Sequence, residues 1–423
     1  MKSRIPTSIA SIVLALAPFA GKAQIEEVMI GPDSKTYFHA EITLDSVEGV
    51  VLPFEILMIS HAENKEKNPP NDLYIQNGAE LLLLKYKGLD STGYEIWELP
   101  YFSGYFRWIM EGTGIRGQWI RPDVNQSFPM HVITGKQPRF NFSTKSAIDD
   151  SPLATRYDLR MYTDNPDEVS PYVAVFNEDE NGEVRGTIMT NSGDFRYLVG
   201  NRKGNKLSLS TFNGVFAYLF EFEIQPNGQL HGTYYSGATT RKKLCATPDT
   251  TVELLDPTAI ATWDPEAGPL KLNVSDYRDG NPLSLDSGFV YVVQIMGSWC
   301  PNCVDESDAF RTMLSRFSEQ PLRVVAVTFE RWEEIHKAYP AIDKFVQDLS
   351  LPYPVGFGGR AKAESIQRVF PGLQNFRAYP TTLYVDKQGH VRKVYTGFNG
   401  PGTPVYNDWL EQTQRYLVEL MNE

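Results

Sequence analysis

Two cysteines separated by two residues, Cys300 and Cys303, are the strongest chemical signal in this chain. They follow an apolar run and precede an amphipathic segment, so we expect them where a buried strand passes into a helix. Unpaired amides and the helix dipole stabilise an anion there, and thiol pKa values fall to about 3.5–7.5. The pair is therefore predicted to exchange disulfides. Cys300 would be the exposed nucleophile, and Cys303, one helical turn later, would resolve the mixed disulfide.

The neighbours of the cysteines fit this chemistry. Pro301 suits a first helical turn, because its missing N–H is no loss there. Glu306 lies on the helical face of the second cysteine and is predicted to transfer protons or to tune a thiol pKa. The alternative for Glu306 is a solvated carboxylate beside Asp305 and Asp308. Trp299 either faces the substrate or packs in the core.

Metal and peroxidase chemistry lack the residues they need. No second cysteine pair completes a zinc site, the six histidines are scattered, and no histidine follows the pair as in haem attachment. A peroxiredoxin motif would need Pro and Thr or Ser where this chain has Val293 and Gly297. We predict no metal, no cofactor and no antioxidant role. The third cysteine, Cys245, is predicted to be an inert buried thiol, with an intermolecular bridge as the alternative.

The elements that must position the cysteines alternate between strand and helix. Residues 289–296 and 322–329 are mostly apolar, as in strands buried on both faces. The segment between them has apolar residues spaced as on one helical face: Phe310, Met313, Leu314 and Phe317. Further elements are predicted at 342–349, 361–370, 381–385, 391–395 and 406–420. This order predicts an α/β domain over 268–423, with a central sheet covered on both sides.

The region 24–246 is predicted to be β-rich. Apolar and polar residues alternate in it, and Asn-Gly pairs, which favour tight hairpins, begin at positions 77, 181, 213 and 227. The frame Asn-Gly-x-aliphatic-x-Gly-Thr occurs at 181 and again at 227, with a weaker copy at 114–119. Repeated hairpins of this kind predict a β-meander closed into a sandwich or barrel.

Three details of this region stay open at the sequence level. A division into two subregions near 138–152 is one option. Gly186 and Gly232 would mark bulges or a close backbone approach. A barrel could hold a ligand or be a packed spacer. Residues 247–267 are predicted to be an interdomain linker, because they are rich in Pro, Thr, Asp and Ala.

Residues 1–23 have the pattern of a cleavable signal peptide: Lys2 and Arg4, an apolar run at 9–20, and small residues before a cleavage site after Ala23. The run is short for a membrane span, and no cysteine follows it, which excludes a lipoprotein anchor. An uncleaved anchor is the alternative. The net charge of −12 argues against a nucleic-acid partner. We therefore predict a periplasmic or otherwise exported protein, and peripheral membrane contact stays open.

Residues 268–423 resemble the TlpA/ResA-type thiol–disulfide oxidoreductases, which have a thioredoxin fold. The resemblance rests on Trp-Cys-Pro-Asn-Cys at 299–303, on Glu306, and on Tyr-Pro-Thr-Thr-Leu-Tyr-Val-Asp at 379–386 followed by Gly389. The extra residues at 328–354 are similar to the helix-and-strand insertion of that branch. Gln294 stands where plain thioredoxin has a buried aspartate.

This resemblance implies roles for particular residues. Cys300 and Cys303 would form the redox-active disulfide. Pro380 would be cis and face that disulfide, and the backbone of Tyr379 would pair with a client strand. Trp299 and Pro301 would also contact the substrate.

The function predicted from these residues is an exported protein disulfide reductase. Its partners would be client thiols and disulfides and, by resemblance, a membrane electron donor. The β-rich extension is similar to those of Bacteroidetes TlpA-like proteins. In the alternative, the β-rich region recognises a ligand or partner and the thioredoxin-like domain is accessory. Reduction of insulin disulfides, and its loss in Cys300→Ser, would discriminate the two.

Overall fold

The computed structural model describes residues 34–60, 71–111, 114–142, 152–162 and 172–423. The predicted signal peptide, 1–23, and most of the predicted division at 138–152 lie outside these ranges. Within them, no helix combines the length and the apolar character needed to cross a membrane. The described chain forms two large antiparallel sheets, which together we call the β-rich region, followed by a C-terminal α/β domain.

The first sheet has nine antiparallel strands in the order β4-β3-β2-β1-β9-β8-β7-β6-β5. Its inward side chains form one aromatic-rich core that includes Phe54, Trp108 and Trp119. A 3-10 turn at Pro122–Val124 precedes the last strand. The strands are β1 Ser34–Asp45, β2 Val50–Ser60, β3 Asn71–Asn77, β4 Glu80–Leu83, β5 Lys85–Leu89, β6 Glu95–Glu98, β7 Tyr105–Glu111, β8 Gly114–Arg121 and β9 Gln126–Thr134.

The second sheet is a closed barrel, which settles the choice between sandwich and barrel for this half. Its strands are β10 Arg156–Met161, β11 Tyr172–Glu178, β12 Glu183–Thr190, β13 Gly193–Asp194, β14 Leu198–Lys203, β15 Lys206–Phe212, β16 Ala217–Ile224, β17 Leu230–Ser236 and β18 Thr240–Pro248. Because β11 pairs with both β10 and β12, eight strands form a ring, and β13 is a short addition to β12. Side chains such as Leu159, Leu209 and Phe220 fill the interior. The barrel is therefore packed, as eight-stranded barrels can be.

The repeated sequence frame marks places where two backbones come close. A Cβ on Gly186 would lie 2.0 Å from the Val175 carbonyl oxygen, and one on Gly232 would lie 2.1 Å from that of Glu221. Pairing at both sites is regular, so the glycines mark close approach and not bulges. Gly117, in the weaker third copy, has the same crowding. The repeated sequence frame therefore places a glycine, which has no Cβ, where the backbone of a neighbouring strand comes close.

The α/β domain is built on a six-stranded mixed sheet in the order β20-β23-β22-β21-β25-β26. The strands of that sheet are β20 Ser275–Asp276, β21 Val290–Met296, β22 Leu322–Glu330, β23 Val355–Arg360, β25 Thr381–Val385 and β26 Val391–Thr396. Two further short strands of the domain, β19 Thr262–Trp263 and β24 Leu373–Gln374, pair with each other. Its helices are α1 Pro257–Ile260, α2 Pro301–Arg316, α3 Ile335–Leu349, α4 Ala363–Val369 and α5 Tyr406–Asn422. Strands β21, β22 and β23 are parallel, and β25 runs antiparallel to β21. The helices α2, α3 and α5 cover one face of the sheet, and α4 covers the other.

The interval predicted as a linker, 247–267, contains ordered elements that join the α/β domain. Strand β19 pairs with β24, and a 3-10 turn follows at Pro265–Ala267. Ala261 is fully buried in the core beneath the sheet. This segment therefore covers part of one face of the α/β domain.

Candidate active site

The sheet topology brings the two cysteines and Pro380 to one edge. Strand β21 ends just before the cysteine turn, and its Ile295 pairs with Thr381, the first residue of β25. Cys300 is the N-cap of α2, and the amide of Cys303 donates a hydrogen bond to the Cys300 Sγ at 3.3 Å. Both cysteines are free thiols. A helix start whose amide points at a sulfur favours the thiolate.

The segment opposite the cysteines contacts the first thiol. The Tyr379–Pro380 peptide bond is cis, as the resemblance to TlpA/ResA-type proteins implies. The Cys300 thiol donates to the Tyr379 carbonyl oxygen, with sulfur and oxygen 3.6 Å apart. Trp299 packs edge-on against the Tyr379 ring, with the ring centroids 5.4 Å apart, and its indole N–H donates to the Phe329 carbonyl. Trp299, Cys300, Tyr379 and Pro380 therefore lie together.

The prediction that Cys300 is exposed is wrong: only 6% of its surface is accessible. The physical reason is the β-rich region, which packs on this edge of the α/β domain. Phe102, between β6 and β7, and Val215, between β15 and β16, are buried in the same apolar cluster as Cys300. Tyr218 of β16 is half-buried near Cys300: burial chiefly raises its pKa, and Tyr234 and Cys300 add to the shift.

The barrel also contacts the two residues between the cysteines. With the Asn302 amide turned so that both of its groups are satisfied, its oxygen accepts from the Asp194 backbone N–H at 2.9 Å and its NH₂ donates to the Asp194 carbonyl at 3.3 Å. Arg196 donates to the Pro301 carbonyl at 3.3 Å and to the Asp305 carboxylate at 2.6 Å. Predicted substrate-binding Pro301 is thus already in contact with the barrel.

Glu306 is fully buried, and so it is not the solvated carboxylate of the alternative interpretation. It accepts hydrogen bonds from the Gln294 amide and from the Thr382 hydroxyl, both at 2.8 Å. Burial raises its pKa to about 8, and the two hydrogen bonds partly oppose this rise. A carboxyl group that titrates near neutral pH can both accept and return a proton.

Cys303 needs such a proton acceptor. Burial raises its pKa well above 9, and Cys300 and the negative charge of Glu306 raise it further. A thiol of this kind carries little thiolate at neutral pH, so its reaction depends on proton removal by a neighbour.

Two residues of the site were not predicted from sequence. Glu330, at the end of β22, is buried and accepts from the Ser298 backbone N–H at 2.9 Å and from the Ser298 hydroxyl at 2.8 Å. Burial raises its pKa. Glu330 fixes the turn that leads to Cys300. Its place at the end of an apolar strand is a signal from which the sequence could have identified it. Arg196 lies 104 residues before Cys300, and no local sequence pattern identifies it as part of the site.

Among the residues that the structure describes, no group of three or more metal-ligating side chains is arranged to hold an ion. Cys245, on β18, is half-buried, and burial raises its pKa. Its place on the barrel separates it from the turn that carries the other two cysteines.

The fold and site define a class. The α/β domain is thioredoxin-like: a β21-α2-β22 unit and a β25-β26-α5 unit share one sheet, with the cysteine turn opposite a cis proline. Residues 271–394, which include both cysteines and Pro380, match the AhpC/TSA family.

Several solved structures are similar to this domain. A thiol:disulfide interchange protein of the thioredoxin family from Chlorobium tepidum TLS is 20% identical, with 36% of this chain and 96% of that chain covered and a TM-score of 0.27. A secreted thiol-disulfide isomerase from Corynebacterium glutamicum is 18% identical (41% and 99% covered, TM-score 0.30). StoA from Bacillus subtilis is 16% identical (34% and 95% covered, TM-score 0.26). No curated protein sequence matches the chain.

Proposed function

We propose that this protein is a thiol–disulfide oxidoreductase that works through Cys300 and Cys303. The observation that carries the proposal is the helix start, where the Cys303 amide donates to the Cys300 Sγ beside the Tyr379 carbonyl. That amide gives the Cys300 sulfur a hydrogen-bond donor, whereas burial raises the pKa of Cys303, so we assign the attack to Cys300.

The reaction transfers two electrons in two steps. The Cys300 thiolate attacks a client disulfide, forms a mixed disulfide and releases one client sulfur as a thiolate. Glu306 then accepts the proton of Cys303, whose thiolate attacks the Cys300 sulfur. The second client thiolate leaves, the client is reduced, and a Cys300–Cys303 disulfide remains. Both client thiolates take up protons.

The direction and setting follow from the resemblance to TlpA/ResA-type proteins. We propose that the protein acts as a reductase of client disulfides and that a membrane electron donor restores its dithiol. The predicted signal peptide supports an exported, periplasmic location, where disulfide chemistry is possible. The alternative, in which the β-rich region binds a ligand and the thioredoxin-like domain is accessory, gains no support from the barrel, whose interior is filled by side chains.

A redox titration tests the direction. The purified protein is equilibrated with glutathione buffers, and the dithiol fraction is measured by alkylation, in a Cys245→Ser background so that two thiols are counted. We expect the dithiol to be reducing and the reduced protein to open insulin disulfides with loss of its own two thiols. A strongly oxidising potential would overturn the reductase assignment.

A further inference from the structure

Two loops of the β-rich region cover the cysteine turn. We call residues 99–104 and 213–216 the cover. The two loops touch each other, since a Cβ on Gly104 would lie 3.0 Å from the Gly214 carbonyl oxygen. They bury Phe102 and Val215 in the cluster that contains Cys300.

The cover fits closely but leaves a small space beside Trp299. A cavity of about 20 Å³ lies between Tyr101, Phe102 and Val215 on one side and Trp299 and Glu330 on the other. This volume has room for about one water molecule. Cys300 does not line this space and is only 6% exposed, so a client disulfide, with a peptide chain on each sulfur, cannot reach it while the cover is in place.

A buried ionic contact joins the cover's scaffold to the active-site helix. The Arg196 guanidinium of the barrel donates to Glu80 of the first sheet and to Asp305 of α2. We call Glu80, Arg196 and Asp305 the latch. Glu80 and Arg196 are each only 8% exposed. Because the three residues come from three separate parts of the fold, the latch holds all three together at the first turn of α2.

Further polar contacts hold the rim of the interface. Asp348 on α3 accepts from the Tyr101 backbone N–H at 2.9 Å, which ties the cover to that helix. On the other side, Arg331 donates to Asp123 at 2.7 Å. Arg331 is more exposed than the latch residues, so its pair with Asp123 can exchange with water at smaller cost, whereas Asp348 is buried.

We propose that the β-rich region controls access to the dithiol, so that client proteins react with Cys300 only when the cover lifts, and that Arg196 is the positioning residue that keeps it closed. Contacts and burial alone support the statement that the dithiol is covered. The statement that this covering restricts client proteins rests on the proposed function. An open state requires the apolar loops to leave the cluster and the latch to separate. Access is thus a built-in determinant of which disulfides this dithiol can attack.

The test measures how fast Cys300 reacts with alkylating reagents in the full-length chain. A Cys245→Ser background removes the third thiol. Iodoacetamide serves as the small probe and a polyethylene glycol maleimide as the bulky one, each at the pH plateau where the reacting thiol is fully ionised. Peptide mapping assigns the alkylated residue, and circular dichroism reports whether each variant is folded.

Arg196→Ala is expected to raise the rate at Cys300 at least tenfold for the bulky reagent and less for the small one. The matched control is Arg185→Ala, an exposed arginine of the same barrel that pairs with Glu183, and its rate should equal that of the parent protein. Phe102→Ala removes a buried side chain of the cover and leaves the latch intact. It therefore tests the proposal if Arg196→Ala does not fold. It should raise the rate of the bulky reagent severalfold.

The outcomes separate the two proposals. If the parent protein reacts with the bulky reagent as fast as a free thiol, or if folded variants react no faster than the parent, the proposal that the cover controls access is wrong. The proposal of disulfide exchange by the dithiol is then unaffected. If the variants react faster yet never reduce insulin, the cover stands and the proposed function fails.

Discussion

The two regions of this molecule have different roles: the α/β domain carries the reacting groups, and the β-rich region controls access to them. In the α/β domain, the reacting sulfurs, the buried carboxyl of Glu306 and the cis proline lie within a few residues of one sheet edge. In the β-rich region the buried Arg196 pairs with Glu80 of the first sheet and with Asp305 of α2, at that edge. The comparison teaches that a region outside the one that carries the reacting cysteine pair can still decide when that pair reacts.

The regions also differ in what their buried polar groups do. Glu306 and Glu330 accept hydrogen bonds entirely within the α/β domain, where they fix and tune the cysteine turn. Arg196 and Asp194 instead reach across the interface to Pro301 and Asn302. Removing a group of the first kind should change chemistry, and removing one of the second kind should change accessibility. The predictions below separate these effects.

The largest expected effect comes from Cys300→Ser. A serine hydroxyl is not a thiolate at neutral pH, so reduction of insulin disulfides should fall by roughly 10³-fold or more. The rate of insulin precipitation under a thiol reductant measures this. Cys245→Ser on the barrel is the control and should retain parental activity. Equal losses in both variants would show that reactivity is not confined to the α/β domain.

Glu306→Gln should slow the release of the second client sulfur by about 100-fold, because Cys303 loses its proton acceptor. Quenched single-turnover reactions measure this step. In the parent protein the rate should rise with pH through about 8, the pKa of Glu306, and the variant should lack this rise. Asp308→Asn, an exposed position on the same helix, is the control. An unchanged pH profile in Glu306→Gln would remove the proton-transfer role.

Glu306→Gln also predicts a change in stability. The pKa of this carboxyl is raised from an ordinary 4.5 to about 8 in the folded protein, so its favourable contribution is complete below pH 4.5 and is lost as the pH rises through 8. The glutamine variant should therefore lose less stability between pH 5 and pH 9, as urea titrations at both pH values would show. A parallel loss in both proteins would contradict the burial of an ionisable group here.

Gly232→Ala tests the barrel as a scaffold. The added Cβ would lie 2.1 Å from the Glu221 carbonyl oxygen, and relieving this overlap should cost about 2 kcal/mol of unfolding free energy. Chemical denaturation measures the loss, with His231→Ala, an exposed neighbour on the same strand, as the control. The folded fraction should keep its reactivity with small thiol reagents. An unchanged midpoint would mean that the repeated frame has no packing role.

The smallest effect is expected from Asp305→Asn. Burial raises the pKa of Asp305 from an ordinary 3.8 to about 7, against the opposing charge of Arg196. Its contribution to stability is complete below pH 3.8 and is lost as the pH rises through 7, so the variant should show a flatter profile. Thermal unfolding at several pH values measures this, with Asp308→Asn as the control. A steeper profile in the variant would contradict the direction.

Much of the α/β domain was predictable because its signals are local. An apolar run predicts a buried strand, and residues 322–329 correspond to Leu322–Glu330. The helix predicted from Phe310 to Phe317 belongs to α2, which begins directly after Cys300. In the β-rich region the Asn-Gly pairs lie at turns between consecutive strands, since a tight turn also depends only on adjacent residues.

The burial of Cys300 could not be predicted in this way. Phe102 and Val215 join its apolar cluster through the packing of one region on another, and nothing near the cysteines in sequence indicates that packing. The same holds for Glu306: helical spacing places it on the cysteine face, but only the sheet brings Thr382 to its second oxygen. Long-range packing thus decides the exposure and pKa values of residues that a local motif can only identify.

The most direct test of the account is to trap the mixed disulfide. Cys303→Ser in the Cys245→Ser background is incubated with oxidised insulin, quenched with acid and examined by non-reducing mass spectrometry and peptide mapping. The account predicts a covalent adduct of insulin on Cys300, joined through one insulin sulfur and released by a thiol reductant. Absence of that adduct, under conditions in which Cys300 still reacts with iodoacetamide, would contradict the proposal that this sulfur attacks client disulfides.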